Sequence, residues 1–420
     1  MNINKILLLA LGAAIMLPNA YALDLGHDVT IKGFGTAGLV YSDNNQADFV
    51  ASSRLNPRGA GRTENISGVV DSKLGMQMDW QATSRLSFTA QAVSKQDPNN
   101  SWVPELQWAF AKFKILPNLD IRAGRIRPAV YMLSDTLDVN YANTWVRPPT
   151  EFYNQAPITH MEGVDFLYRL QTGPVNWLLQ PFYGNTQLPM TSHQTVTAKN
   201  LAGVNLVATI NDFTFRAGYT YTNLSFNDPF FEGVVRPGMQ SICQADYGDP
   251  VACTQLASLD PINKMASFAS IGAGWDNGNY FLTGEFGKIT TASLLHETLS
   301  GYISAGGRFG KFTPYATYSQ TYNGSPTSFS GGSGPYGAYT NQIVTGILTY
   351  DSMDQNTKTL GLRYDLFSNI ALKAQWDRID TSTKNGQENT GYGIFHHTTS
   401  SFNNGGNSVN LFSTSVDFIF

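Results

Sequence analysis

Apolar and polar residues alternate one for one through much of this 420-residue chain. In residues 213–222, Phe213, Phe215, Ala217, Tyr219 and Tyr221 fall on one side, and Thr214, Arg216, Gly218, Thr220 and Thr222 on the other. Side chains of a strand point alternately to opposite faces, so this stretch reads as a strand with one apolar and one wet face. The dyad recurs in residues 71–80, where Leu74, Met76, Met78 and Trp80 oppose Lys73, Gln77 and Asp79. It recurs again in residues 357–366, where Leu360, Leu362, Tyr364 and Leu366 oppose Thr359, Gly361, Arg363 and Asp365. On this basis sixteen strands are predicted, near 29–41, 69–81, 86–95, 102–114, 119–127, 162–171, 174–183, 200–210, 212–223, 265–276, 279–289, 301–310, 312–320, 356–366, 370–380 and 409–420. Most are about 10 residues long, the length of a tilted membrane-crossing strand.

The connections alternate too. Every even-to-odd joint is short and built from turn residues, such as Leu116-Pro117-Asn118, Thr172-Gly173, Asn277-Gly278, Gly310-Lys311 and Phe367-Ser368-Asn369. Every odd-to-even joint is longer, from the modest 96–101 to the long 128–161 and 224–264. A soluble sandwich has no reason to gather its short turns at one end, whereas a bilayer-crossing barrel does. Hydrocarbon leaves no partner for an open sheet edge, so the strands must close on themselves. The predicted fold is all-β: a closed antiparallel transmembrane β-barrel of about 16 strands, wide enough for an aqueous lumen.

Composition fits that reading. Aromatics make up 12% of residues and charged residues only 14%, with 39 glycines. No segment after the N-terminus is apolar for the length of a membrane helix. A formal net charge of −4, spread along the chain, gives no nucleic-acid signature. At the N-terminus Lys5, the apolar run from Ile6 to Leu17 and Ala20-Tyr21-Ala22 have the order of a secretory signal peptide. Residues 1–22 are therefore expected to be a leader, and 23–420 one barrel domain. The two cysteines, Cys243 and Cys253, are close together in a Pro/Gly/Asp-rich stretch of an exported chain, which reads as one disulfide within an outer loop.

The chain ends Val416-Asp417-Phe418-Ile419-Phe420, with Phe412, Val416, Phe418 and Phe420 on one strand face. This resembles the terminal aromatic signature read by the barrel-assembly machinery, with Phe420 as the signal. Strand number, turn parity and the terminal Phe together make the whole mature chain resemble the sixteen-stranded general porins of Gram-negative bacteria. The resemblance implies location in the outer membrane, a homotrimer surrounded by outer-membrane lipid, and a water-filled channel for small hydrophilic solutes and ions. It also implies that the third long loop, here Pro128 to Met161, folds into the barrel and narrows it. The Pro-Glu-Phe-Gly-Gly-Asp motif common in enterobacterial members is missing, which places the chain on a divergent branch.

A constriction of this kind needs acidic residues on the loop facing basic residues on the wall, so that a transverse field crosses the narrow gap. The loop offers Asp135, Asp138 and Glu151. The wall offers Lys32, Lys73, Arg122, Arg125, Arg127, Arg169, Arg216, Arg308 and Arg363. Arg122 and Arg125 differ in parity, so one of them is expected at a bulge or at the rim. Trp80, Trp108, Tyr219, Tyr221, Trp275, Tyr280 and Trp376 are expected to face lipid as interfacial girdles. Of six histidines only His396 and His397 are adjacent, and no metal site or cofactor is expected. No nucleophile elbow, phosphate loop or zinc-protease motif occurs, so the chain is not expected to be an enzyme. A barrel enzyme, or a surface adhesin or receptor using the long loops, is the alternative.

Overall fold

A computed structural model of the protein describes residues 23–24, 26, 28–52, 58–156, 158–244, 249–291, 297–326, 328–350, 354–381, 394–403 and 406–420. The predicted leader, together with His27 and His296, lies outside the described residues.

Sixteen strands build the wall: β1 (Val29–Ser42), β2 (Lys73–Gln81), β3 (Leu86–Lys95), β4 (Glu105–Leu116), β5 (Leu119–Ile126), β6 (Met161–Thr172), β7 (Val175–Pro189), β8 (Thr195–Ile210), β9 (Phe213–Asn227), β10 (Lys264–Asp276), β11 (Tyr280–Thr291), β12 (Thr298–Gly307), β13 (Phe312–Asn323), β14 (Gln355–Phe367), β15 (Ile370–Thr381) and β16 (Ser408–Ile419). Each pairs antiparallel with its neighbours in sequence. Closure comes from β1, which pairs with β2 from Val29↔Trp80 to Thr36↔Lys73 and with β16 from Phe34↔Ile419 to Ser42↔Leu411. Two aromatic rings of the last strand seat this seam: a Cβ on Gly33 or Gly35 would collide with Phe420 or Phe418. The last residue is tied in as well, since Phe420 and Gly33 exchange backbone hydrogen bonds.

One end of the barrel carries only tight turns. Gly173 and Asn211 take positive φ as the first central residue of two-residue turns, a conformation that matches the twist of the flanking strands. The other end carries the long loops L1 (43–72), L3 (127–160), L5 (228–263), L7 (324–354) and L8 (382–407). L1 and L8 meet in a small three-stranded sheet, Asp48–Phe49, Ala60–Gly61 and Phe395–His396, over a cluster of Phe49, Phe395, Phe402 and Leu411. L5 and L7 meet through helices α1 (Arg236–Gln244), α2 (Pro250–Leu259) and α3 (Gly337–Tyr350), which share a cluster around Met239, Ile242 and Val344. The cysteines lie in this cap, and Cys243 and Cys253 are disulfide-bonded.

Burial is inverted relative to a water-soluble protein. Along β13 the outward Phe312, Ala316, Tyr318 and Tyr322 are exposed, while the inward Thr313, Tyr315, Thr317, Ser319 and Thr321 are buried. On β9 the outward Phe213, Phe215 and Tyr219 are exposed and the inward Arg216, Thr220 and Thr222 buried. An apolar belt with a polar interior is what lipid outside and water inside select.

Several strand ends differ from the pattern prediction: at the loop end β7 runs on to Pro189 rather than 183, β8 begins at Thr195 rather than 200, and β9 runs on to Asn227 rather than 223. β2 begins at Lys73 rather than near 69, because Asp71 and Ser72 turn inward to partners on L3 and β1. β4 begins at Glu105 rather than 102. β12 ends at Gly307 rather than 310, because Phe309 pairs back onto Phe312 in the turn.

Candidate functional site: the lumen and its third loop

L3 leaves the wall at Ile126 and returns at Met161, and between them it lies inside the barrel. It contains a 3-10 turn at Asn140–Ala142 and a single helical turn at Thr150–Tyr153. Its anchors fall on inward residues right across the lumen. Trp145 donates its indole N–H to Thr317 Oγ1 at 2.9 Å. The Met132 amide donates to Glu285, and the Tyr153 hydroxyl binds the same carboxylate. Tyr131, Phe152 and Tyr153 of the loop pack with Phe268 and Tyr302 of the wall.

Arg147 is a buried charge on the loop. Its guanidinium grips Asp71 in a two-pronged pair at 2.9 and 2.7 Å, reaches Asp377 at 2.7 Å, and lies under the Phe49 ring. A fork meeting a carboxylate this way fixes direction as well as charge. Burial alone would lower its proton affinity, but Asp71 and Asp377 raise it above the ordinary arginine value. A small cavity beside it is lined by Phe49 and Trp145 as well as Glu151, Thr317, Gln375 and Asp377. No pattern in the sequence marked Arg147, because its partners Asp71 and Asp377 are far from it and from each other along the chain.

The three predicted loop acids have three different surroundings. Asp138 is buried and salt-bridged to Lys95 at 2.9 Å and to Arg127 at 2.5 Å. Burial would raise its pKa, but Lys95, Arg127 and Lys73 together hold the carboxyl well below the usual range. Glu151 is fully buried, and its partners are neutral: Ser319 Oγ donates at 2.6 Å, joined by Gln355 and Thr357. It therefore faces hydroxyls and an amide rather than the basic wall. Asp135 is the one exposed acid of the three, and Arg122 feels its charge.

The predicted bases divide as well. Lys73 and Arg363 hold L3: Lys73 donates to Asn140 Oδ1 at 3.0 Å, and Arg363 donates to the Tyr141 carbonyl at 2.7 Å. Arg216 does the same from β9 through the Ala129 carbonyl, 2.8 Å away. Arg127 is not a wall residue but the buried root of the loop, bound to Asp138, Gln107 and the Thr159 and Ser134 carbonyls. Arg122 faces the lumen, paired with Asp165. Arg169 is also lumenal, paired with Asp120 at 2.8 Å. Lys32 pairs with Asp79 at 3.2 Å near the short-turn end. Arg308 lies in the turn after β12, bound to Asp276 at the rim. Arg125 points outward, where it pairs with Glu162 and donates to the Leu106 carbonyl. Its parity differs from that of Arg122 because the strand alternates, and no bulge or rim is needed to explain it. Lys373 also escaped the sequence reading: enclosed on β15, it donates to the Asn140, Asn143 and Trp145 carbonyls of L3.

Among the aromatics, Trp80, Tyr219 and Tyr280 are exposed on the outer face. Trp275 and Trp376 share that face through their cross-strand partners Phe213 and Phe412. Tyr221 is two residues beyond Tyr219 on the same side. Trp108 differs. The register between β3 and β4 shifts at Gln91/Ala92, so that Gln107 is an extra residue on β4 and Trp108 turns inward beside Phe110. A bulge of this kind moves the rest of the strand to the other face. The His396 and His397 rings are 4.1 Å apart, with His397 bound to Asp48 across the L1–L8 sheet. Among the described residues no group of three or more His, Cys, Asp or Glu side chains is placed to hold a metal ion.

No protein-family model matches the chain, and no curated relative matches it in sequence. Solved structures do match it in shape. OmpF of Salmonella typhi, solved with daunomycin, is 13% identical with a TM-score of 0.54, over 95% of this chain and 100% of that one. The outer-membrane channel DcaP of Acinetobacter baumannii is 9% identical with a TM-score of 0.54, over 96% and 99%. An anion-selective porin from Comamonas acidovorans is 11% identical with a TM-score of 0.54, over 93% and 99%. The likeness covers nearly every residue of both partners, and the fold of this chain is that of the bacterial outer-membrane porins.

Proposed function

We propose that the protein is a passive channel in the bacterial outer membrane for small hydrophilic solutes and ions. The observation that carries this reading is L3. A long loop lies inside a barrel whose inner face is polar, and it is fastened to that face by Trp145, Arg147, Glu151 and Lys373. A loop held this firmly sets a fixed aperture, and fixed charge beside a narrow wet gap sets which ions cross it. The protein acts without a cofactor and without catalysis.

Export by the leader and insertion by the barrel-assembly machinery, guided by Phe420, belong to the same reading. So does a homotrimer. On the outer face of β3 to β5, Ala90, Ala92, Ala109, Ala111 and Ala123 form a small-residue patch next to the outward Arg125–Glu162 pair, flanked by larger residues such as Phe88, Leu106 and Phe113. A charged pair set among alanines suits contact with another protein wall better than contact with lipid.

Liposome swelling with the purified protein tests the channel. Small sugars should cross and swell the vesicles, with rates falling as solute size rises. The surface adhesin or receptor reading draws on the loop cap, where Phe230 and Val234 stay exposed. That reading, and the barrel-enzyme reading, both expect no swelling.

A further inference from the structure

The inward bulge at Gln107 has a consequence for what the channel carries. Below it, every second residue of β4 faces the lumen, which gives the succession Trp108, Phe110, Lys112 and Lys114 toward the short-turn end. Alternate residues of a strand stand about 7 Å apart, so two rings are followed by two ammonium groups in a line about 20 Å long. Arg122 lies over the Phe110 ring at 5.2 Å and is directly across from Lys112 in the register. Arg169 of β6 continues the basic edge toward the mouth.

The arginine charges beside this strip are cancelled, and the lysine charges on it are not. Asp165 is taken by Arg122 and Asp120 by Arg169. Lys112 and Lys114 are exposed, and among the described residues neither has a carboxylate at ion-pair distance. Among the described residues the wall hydrogen bonds of L3 reach β2, β3 and β9 to β16, and Gln107 on β4. None of them reaches the four residues below the bulge, of which Phe110 alone is packed in part against the L3 cluster.

We infer that this strip of β4, with Arg122 and Arg169, is a track for organic anions that carry an aromatic or flat apolar body, such as aryl carboxylates. Trp108 and Phe110 are both half-buried, Phe110 partly against the aromatic cluster of L3, and the ring surface they leave open to the lumen offers an apolar face to a ring passing by. Ammonium groups one and two steps below meet the carboxylate, and they attract anions without holding them in fixed geometry. A solute leaving the level of L3 would slide its ring over Trp108 and Phe110 while its carboxylate moves down to Lys112 and Lys114. The inference rests on the channel reading and names a solute class within it.

Planar-bilayer recordings with the full purified protein test it, using potassium chloride, acetate and benzoate. Wild type should pass benzoate at least as readily as acetate despite its larger size, and benzoate added to one side should slow the chloride current. Lys112→Gln/Lys114→Gln should lower the anion-to-cation permeability ratio by about twofold or more in dilute salt, where such charges are least screened. Trp108→Leu/Phe110→Leu should leave chloride conductance in place and return the two carboxylates to the order set by size. Heat-modifiable migration in detergent gels confirms that each variant forms the barrel. The track is overturned if wild type ranks acetate above benzoate by size alone, or if the folded lysine variant keeps wild-type ion preference. A wild type that conducts no ions at all would instead remove the channel reading itself.

Discussion

The Lys373 ammonium lies 2.7 Å from the Asp417 carboxylate, and neither side chain is exposed to solvent. The same ammonium donates to the Asn140, Asn143 and Trp145 carbonyls, so one enclosed wall cation holds three backbone positions of L3. Lys373→Met should remove all of these at once and leave Asp417 with the Thr36 hydroxyl, 2.7 Å away, as its close partner. Breaking an enclosed pair from one side costs about 3–5 kcal/mol. Chemical unfolding should show that loss, and single-channel recordings should become noisier with a larger mean conductance. Lys373→Met/Asp417→Leu should recover stability but keep the noise. Quiet, wild-type recordings from either variant would mean that L3 does not depend on this anchor.

Much of the wall was legible because a strand has a strict period of two. Sixteen segments and their turn parity could be read from residues such as Phe213 to Thr222 before any contact was known. The outer girdle followed from the same rule except at Trp108, since one extra residue, Gln107, reverses the rule locally and leaves no mark in composition. The lumen was less legible. Asp138 and Glu151 look alike in sequence, yet one meets Lys95 and Arg127 and the other meets Ser319, Gln355 and Thr357. Those partners are up to 206 positions away, and nothing local encodes them.

The different surroundings of the loop acids separate their roles in ion selectivity. Asp135→Asn removes an exposed charge near Arg122 and should move the reversal potential toward anions in dilute salt. The shift should shrink near 1 M salt, where screening acts within about 3 Å. Glu151→Gln sits among neutral partners away from water, so it should change the stability of L3 more than its ion preference. If Glu151→Gln moved the reversal potential as far as Asp135→Asn does, the aperture would lie beside Glu151 instead.

Reduction should act on the outer cap alone. The bond between Cys243 and Cys253 joins the end of α1 to α2, and the backbone ladder of the wall makes no use of it. After treatment with a thiol reductant, residues 236–259 should be cleaved faster by added protease. The heat-modifiable barrel band should remain. Loss of that band on reduction would show that the cap supports the wall.

Asp138 makes the docking of L3 sensitive to acid. Its carboxyl is held well below the ordinary 3.8 by Lys95, Arg127 and Lys73, against the opposing effect of burial. A carboxyl whose pKa falls on folding stabilises the folded form above its unfolded value and loses that contribution as pH drops through the folded one. Open-channel noise should therefore be level from neutral pH down to about 4 and rise below it. Asp138→Asn should be noisy at every pH, and its noise should no longer respond to acid through this group. A wild-type profile already rising between pH 7 and 5 would point to a different titrating group.

The outward Arg125–Glu162 pair gives the most direct test of assembly. Arg125 is six residues up β5 from Leu119, and strands rise about 3.4 Å per residue, so it lies about 20 Å along the strand. At a tilt of 35–45° that is about 15 Å above the short-turn end, inside an apolar band about 25 Å tall. An arginine facing lipid near the midplane costs about 2–4 kcal/mol. The small side chains of Ala90, Ala109, Ala111 and Ala123 would let another copy of the wall come close enough to cover the pair. Arg125→Glu should place two like charges side by side and abolish the heat-resistant oligomer in detergent gels, while the monomer barrel stays folded. Arg125→Glu/Glu162→Arg should restore the oligomer, because it rebuilds the pair in reverse. A substitution of equal charge on the β9 face, Tyr219→Glu, should weaken insertion without changing oligomer size. An oligomer unaffected by Arg125→Glu would assign the contact to another part of the wall and leave this pair in lipid.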